Sequence, residues 1–208
     1  IVDDDALVRT SFVNLCRSVD LNVQAFSSPD EFLKATLPDL PACLILDVRF
    51  PGSAPSGLDF QRQLAAVKNP LPIIFMTGHG DVPMSVQAMK GGAVDFLTKP
   101  VREQELLDAI RQGIERDRRR RDKDAVMASL RERFETLTAR ERRIMHLVSN
   151  GLMNKQIADE LGLSEVTVKA HRGQVMQKMA AKSVPDLVRM SDLLAESDAE
   201  EAASNTRV

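Results

Sequence analysis

Four apolar runs along the chain stop abruptly at polar residues. Leu44-Ile45-Leu46 ends at Asp47, and Pro51-Gly52 shortly after forbid a longer strand. Ile1-Val2 runs into Asp3-Asp4-Asp5, Ile73-Ile74-Phe75-Met76 into Thr77-Gly78, and Ala93-Val94-Asp95-Phe96-Leu97 into Thr98-Lys99-Pro100. Short runs without polar alternation are the mark of strands buried on both faces. Val23-Gln24-Ala25-Phe26 is a fifth candidate strand. Between the runs, apolar residues recur at helical spacing: Leu7, Phe12, Leu15 and Val19; then 58–67; then Met84, Ala88 and Met89 behind a capping Asp81 and ahead of Gly91-Gly92; then Leu106, Leu107 and Ile110. Ser28-Pro29-Asp30-Glu31 opens another helix as a capping box. The alternation predicts an α/β unit, a doubly wound, five-stranded parallel sheet, over residues 1–114.

The pattern changes at Glu115. The next ten residues are almost wholly charged and include Arg118-Arg119-Arg120-Arg121, which reads as a solvated linker turning helical through Val126, Leu130 and Phe134 (115–135). From 136 to 194 only helical periods remain. Thr138-Ala139-Arg140-Glu141 is a capping box, Asn154–Leu161 a short helix, Gly162-Leu163 a turn, and Ser164 the cap of a helix ending near Met179. Val166, Val168 and Val175 are expected to seat that helix on its support. Residues 183–194 supply a fourth helix, whose leucines suggest a dimer face if one small core does not use them. The acidic, small-residue tail 195–208 is expected to be disordered.

Composition adds an asymmetry. Residues 1–112 carry 10 Lys+Arg against 14 Asp+Glu, whereas 137–191 carry 9 against 5. The two parts therefore suit different partners. No apolar run is long enough for a membrane span, and Cys16 and Cys43 lack metal or redox spacing, so packed thiols in a cytoplasmic protein are expected.

If the strands are parallel, their carboxyl ends bring Asp3, Asp4, Asp47, Thr77 and Lys99 to one edge. Crowded carboxylates repel, and a hard cation such as Mg²⁺ relieves the repulsion. What remains is a carboxylate nucleophile, an ammonium to pair with added negative charge and a hydroxyl to bind it: a phosphoryl-acceptor site. This half resembles the receiver domain of bacterial two-component response regulators. Met76-Thr77-Gly78-His79-Gly80-Asp81-Val82-Pro83-Met84 looks like the FixJ-type branch. The resemblance implies Asp47 as phosphoacceptor, Mg²⁺ held by Asp3, Asp4, Asp47 and the Arg49 carbonyl, and a switch of Thr77, Phe96, Lys99 and Pro100. By pattern alone Phe96 fits a plain core position equally well. The segment 50–57 is longer than the family's loop.

Two short helices about a glycine turn, the second basic, make a helix-turn-helix signature. Leu-Thr-Ala-Arg-Glu, Gly-Leu-Met-Asn-Lys-Gln-Ile-Ala and Thr-Val-Lys-Ala-His are similar to the LuxR/GerE-type DNA-binding domain. Lys155, Thr167, Lys169, Ala170, His171, Arg172 and Lys178 are the candidate contacts to double-stranded DNA, although Ala170 offers only a methyl and Gly173 no side chain. A basic domain could instead hold RNA or another protein. The whole implies a transcription regulator phosphorylated by a sensor histidine kinase, dimerising on phosphorylation, with no enzymatic activity beyond its own phosphoryl transfer and loss.

Overall fold

A computed structural model describes residues 1–51, 56–67, 71–78 and 81–205. They form two compact units, 1–121 and 122–208.

In the first unit β1 (Leu44–Asp47), β2 (Ile73–Thr77) and β3 (Asp95–Thr98) make a parallel sheet in that order, with Asp47 beside Met76 and Thr77 beside Thr98. Val2 adds single parallel bridges to Leu46 and to Phe26. The spatial order is therefore Phe26, Val2, β1, β2, β3, as in flavodoxin-like sheets, but only three of the five expected strands are regular. The first ladder ends because the Asp3 carboxylate turns to accept the Asp5 amide, and the second because Ser28 already caps the next helix.

Alternation within the buried strands builds two cores. Leu44, Leu46, Ile73 and Phe75 pack with Phe32, Phe60, Leu64 and Ala88 on one face. Ile45, Ile74 and Met76 pack with Phe12, Cys16, Leu106 and Ile110 on the other. Each Leu, Ile, Phe or Met among them contributes about 1.5–3 kcal/mol by burial. The helices are α1 (Ala6–Ser18), α2 (Pro29–Lys34), α3 (Gly57–Ala66), α4 (Val82–Lys90) and the start of α5 (Glu103–Glu135). Asp5, Ser28, Ser56 and Asp81 cap the first four, although Glu31 reaches Ser27 rather than closing a box on Ser28. Buried Gln61 on α3 donates to the Ala88 carbonyl, and a Cβ at Gly91 would collide with its amide. That contact ties the C-terminal end of α4 to α3.

α5 does not stop at Ile114. It continues without a break, and its charged run is not uniformly solvated. Asp117 is 1% exposed; it accepts the Ala42 amide at 3.0 Å and hydrogen bonds from Arg120 and Arg121, while Arg121 also pairs with Asp39. The receiver-like unit thus keeps α5 through Arg121, because a buried carboxylate saturated by donors anchors it there.

In the second unit the rest of α5, α6 (Ala139–Ser149), α7 (Asn154–Leu161), α8 (Glu165–Lys178) and α9 (Val184–Asn205) enclose one core, centred on Leu130, Ile144, Leu147, Ile157, Val168, Val175, Met179, Leu187 and Leu194. Thr138 and Glu141 close the expected capping box, and Gly162 turns the chain at φ 63°. Two expectations fail here. The tail is helical through Asn205, since its Ala- and Glu-rich sequence holds no Gly or Pro to stop a helix; 206–208 lie outside the described residues. The leucines of α9 are no surplus either: Leu187 and Leu194 are buried in their own core, and Met190 and Leu193 pack against it.

Candidate functional sites

The carboxyl ends of Val2, β1 and β2 meet Lys99, as the strand pattern predicts. Asp3 is 2% and Asp47 8% exposed. The Lys99 ammonium donates to Asp3 Oδ2 at 2.6 Å and Asp47 Oδ2 at 2.7 Å. The second oxygens are also engaged: Asp3 Oδ1 accepts the Asp5 amide and Asp47 Oδ1 the Arg49 amide. Burial raises the Asp3 carboxyl above its ordinary value against the pull of Lys99. Burial opposes the Lys99 charge too, yet its hydrogen bonds to Asp3 and Asp47 win and hold the ammonium above its usual range. The Asp5 carboxylate caps α1, while its amide holds Asp3 and the residue borders the same site.

Gly57 is required for this geometry, because a Cβ there would collide with the Asp47 carbonyl oxygen. Asp4, Asp47, Arg49, Phe50, Thr77, Gly78 and Lys99 line an open depression of about 470 Å³. Thr77 is buried at the end of β2, and its carbonyl accepts the Lys99 amide. Lys99-Pro100 is a cis peptide. Phe96 is half-buried, tilted against Phe75 with ring centroids 6.2 Å apart. Asp3, Asp4 and Asp47 can present one oxygen each within 4.8 Å of one another. Three converging carboxylates, whose charge the Lys99 ammonium offsets only in part, fit a divalent cation of oxygen preference. The middle of the long 50–57 segment, 52–55, lies outside the described residues.

In the second unit, α7 and α8 meet at the glycine turn. The seven candidate DNA contacts divide. Lys155, Lys169 and Ala170 are exposed. Thr167, His171, Arg172 and Lys178 are half-buried. Arg172 donates to Asn154 at 2.5 Å, and Lys178 to buried Glu141 at 2.7 Å and to the Thr136 carbonyl. Lys178 therefore locks the end of α8 to the start of α6. Val166 does not seat the helix; it is 79% exposed. About half a turn of helix separates it from the core side occupied by Val168 and Val175.

The geometry has counterparts among known proteins. The response regulator receiver domain model matches residues 1–111, and the model for bacterial regulatory proteins of the luxR family matches 135–191. The chain is a response regulator. Nodulation protein W of Bradyrhizobium diazoefficiens is 58% identical over 194 residues, covering 93% of this chain and 85% of the relative. Transcriptional regulatory protein FixJ of Azorhizobium caulinodans is 40% identical over 202 residues, covering 97% and 95%. Among solved structures, response regulator StyR matches with a TM-score of 0.82 at 46% identity, covering 92% of this chain and 96% of that one. This response regulator thus joins a receiver to a LuxR-type DNA-binding domain and is a transcription regulator of a two-component system. No helix among the described residues is long and apolar enough to cross a membrane.

Proposed function

We propose that Asp47 is the phosphoacceptor of this regulator and that its phosphorylation controls DNA binding through dimerisation. The observation that carries the reading is the Lys99 ammonium, bonded to Asp3 and Asp47 at once. An Asp47 oxygen attacks the phosphorus of a phosphohistidine on the partner kinase, the P–N bond breaks and the imidazole leaves. Asp3, Asp4, Asp47 and the Arg49 carbonyl would hold Mg²⁺. Bound there, the ion neutralises charge on the transferring phosphoryl oxygens. Lys99 then exchanges its carboxylate partner for a phosphoryl oxygen, and Thr77 hydrogen-bonds another. The same centre returns the phosphoryl group to water, its only chemistry.

Output follows from redistributing those contacts. A bound charge shifts a two-state surface only through its different interactions with the two states. The surface next to Thr77 and Phe96 includes α4, which exposes Val82, Val86 and Met89 at helical spacing. An apolar row of this kind supports a homodimer that places two α8 helices on half-sites about one DNA turn apart. Lys155 and Lys169 supply phosphate or base contacts. Incubation with acetyl phosphate and Mg²⁺ should add one phosphoryl group by intact mass and shift sedimentation to a dimer. Asp47→Asn should do neither; equal labelling of that variant would overturn the assignment.

A further inference from the structure

The outer face of α8 differs from the charged surface that nucleic-acid contact usually requires. Val168, Val175 and Met179 define its core side, each 0% exposed. Opposite them Val166, Ala170, Gly173 and Gln177 follow one another at i, i+4, i+7 and i+11, all exposed, so they lie in one line along the helix. Lys169 flanks this line and is free to reach outward. Arg172 and Lys178, the other cations of the helix, are drawn to Asn154 and Glu141. Gly173 has no internal reason to be glycine: a Cβ there would meet nothing within 4 Å. A mid-helix glycine nonetheless weakens a helix relative to alanine.

We propose that this face selects operators by apolar contact with thymine C5-methyl groups, the inference resting on the reading of α8 as the helix that enters the major groove. Val166 and Ala170 present methyl groups to the base edges. Gly173 lets the helix seat closely, and Lys169 adds a hydrogen bond to an adjacent guanine or phosphate. The thymine methyl is the apolar mark on the major-groove edge, where the other positions are hydrogen-bond donors and acceptors. A guanine or cytosine edge beneath Val166 or Ala170 loses water and gains no partner, which costs free energy. A thymine there turns its methyl to the side chain, and burying that methyl offsets the loss of water. The specificity is therefore for thymine-containing steps at two positions in each half-site, beside a lysine contact.

The test uses the full chain with acetyl phosphate and Mg²⁺ to select duplexes from a random library. The selected duplex is then resynthesised with deoxyuridine replacing thymine, one position at a time. Deoxyuridine keeps every hydrogen-bonding group and lacks only the methyl. At fixed salt, which phosphate contacts demand, affinity should fall about fourfold for each contacted methyl removed. Val166→Ser and Ala170→Ser, both at exposed positions, should each abolish the thymine-to-uracil difference at one position while the other survives. Gly173→Ala should melt higher and bind the parent duplex more weakly. Uracil duplexes that bind like the parent, or serine variants that keep full discrimination, overturn the proposal. Equal affinity of Gly173→Ala overturns the close seating. Selection of no duplex at all would instead remove the DNA-contact reading of α8 itself.

Discussion

Two carboxylates in the first unit are buried almost equally and behave in opposite ways. Asp3 is 2% and Asp117 1% exposed. Asp3 shares a single ammonium with Asp47 and lies within ligand distance of Asp4. Burial raises its carboxyl. Asp117 is also opposed by burial, but hydrogen bonds from Arg121, Arg120 and the Ala42 amide outweigh it and hold the carboxyl below its ordinary value. A buried carboxylate with its full complement of donors is a fastener. One left short of positive charge is a binding site for it. The contrast separates structural from functional acid groups where burial alone cannot.

Replacing Asp117 should have the largest effect on stability. Asp117→Ala leaves the Ala42 N–H without its acceptor and takes a carboxylate partner from Arg120 and Arg121, and loss of a buried, charge-assisted contact costs about 3 kcal/mol. Urea denaturation of the full chain should register it. Because the folded carboxyl is held below its ordinary 3.8, its contribution is present above that value and lost as pH falls through the folded one. The gap between parent and variant should therefore be full at neutral pH and close only in strong acid.

Asp3→Asn should act with the opposite sign. In EDTA it removes charge from a crowded cluster and should stabilise the chain by on the order of 1 kcal/mol, the ordinary scale of one substitution. Here the folded carboxyl is raised above 3.8, so ionisation disfavours the folded state at neutral pH. The advantage of the variant should shrink on acidification, and at higher pH than the Asp117 gap closes. Saturating Mg²⁺ should raise the melting temperature of the parent and leave Asp3→Asn nearly unmoved. A variant less stable than its parent in EDTA would break the contrast.

Lys99→Ala sharpens it further. Without that ammonium, the buried Asp3 and Asp47 carboxylates lose the cation they share. The melting temperature should fall in EDTA and recover more steeply with Mg²⁺ than in the parent. Phosphorylation should persist in part while the dimer seen on sedimentation is weakened, because a charge-assisted hydrogen bond of about 1.5–3 kcal/mol is a large share of the roughly 5.5 kcal/mol that a full two-state shift needs.

The strand ends were legible because short apolar runs stopping at Asp47, at Thr77 and at Thr98-Lys99 encode both a buried sheet and the groups at its edge. Asp117 was not: its charged neighbours predict solvent, and its decisive partner Ala42 lies 75 residues away. Gln61 was invisible likewise, a polar residue buried by one carbonyl on another helix. Val166 and Lys178 were misread although the signal was present. Counting by 3.6 from Val168 and Val175 places Val166 outward, and Lys178, three residues beyond Val175, back toward α6. The shortfall in regular strands arises where Val2 and Phe26 are each followed at once by residues committed to turns and caps.

The amide of Gln61, set where Gly91 leaves room, makes α4 a lever with its fulcrum at the far end. Ala88 and Gly91 are gripped against α3, while Val82 and Val86, on the side of the helix that follows Thr77, show no such grip among the described residues. A small pull at Thr77 is then amplified where the apolar row is most exposed and fades toward Gly91. Amide exchange on phosphorylation should change most across 82–86 and least across 88–92. Gln61→Ala, which removes the fulcrum, should spread that change along the whole helix.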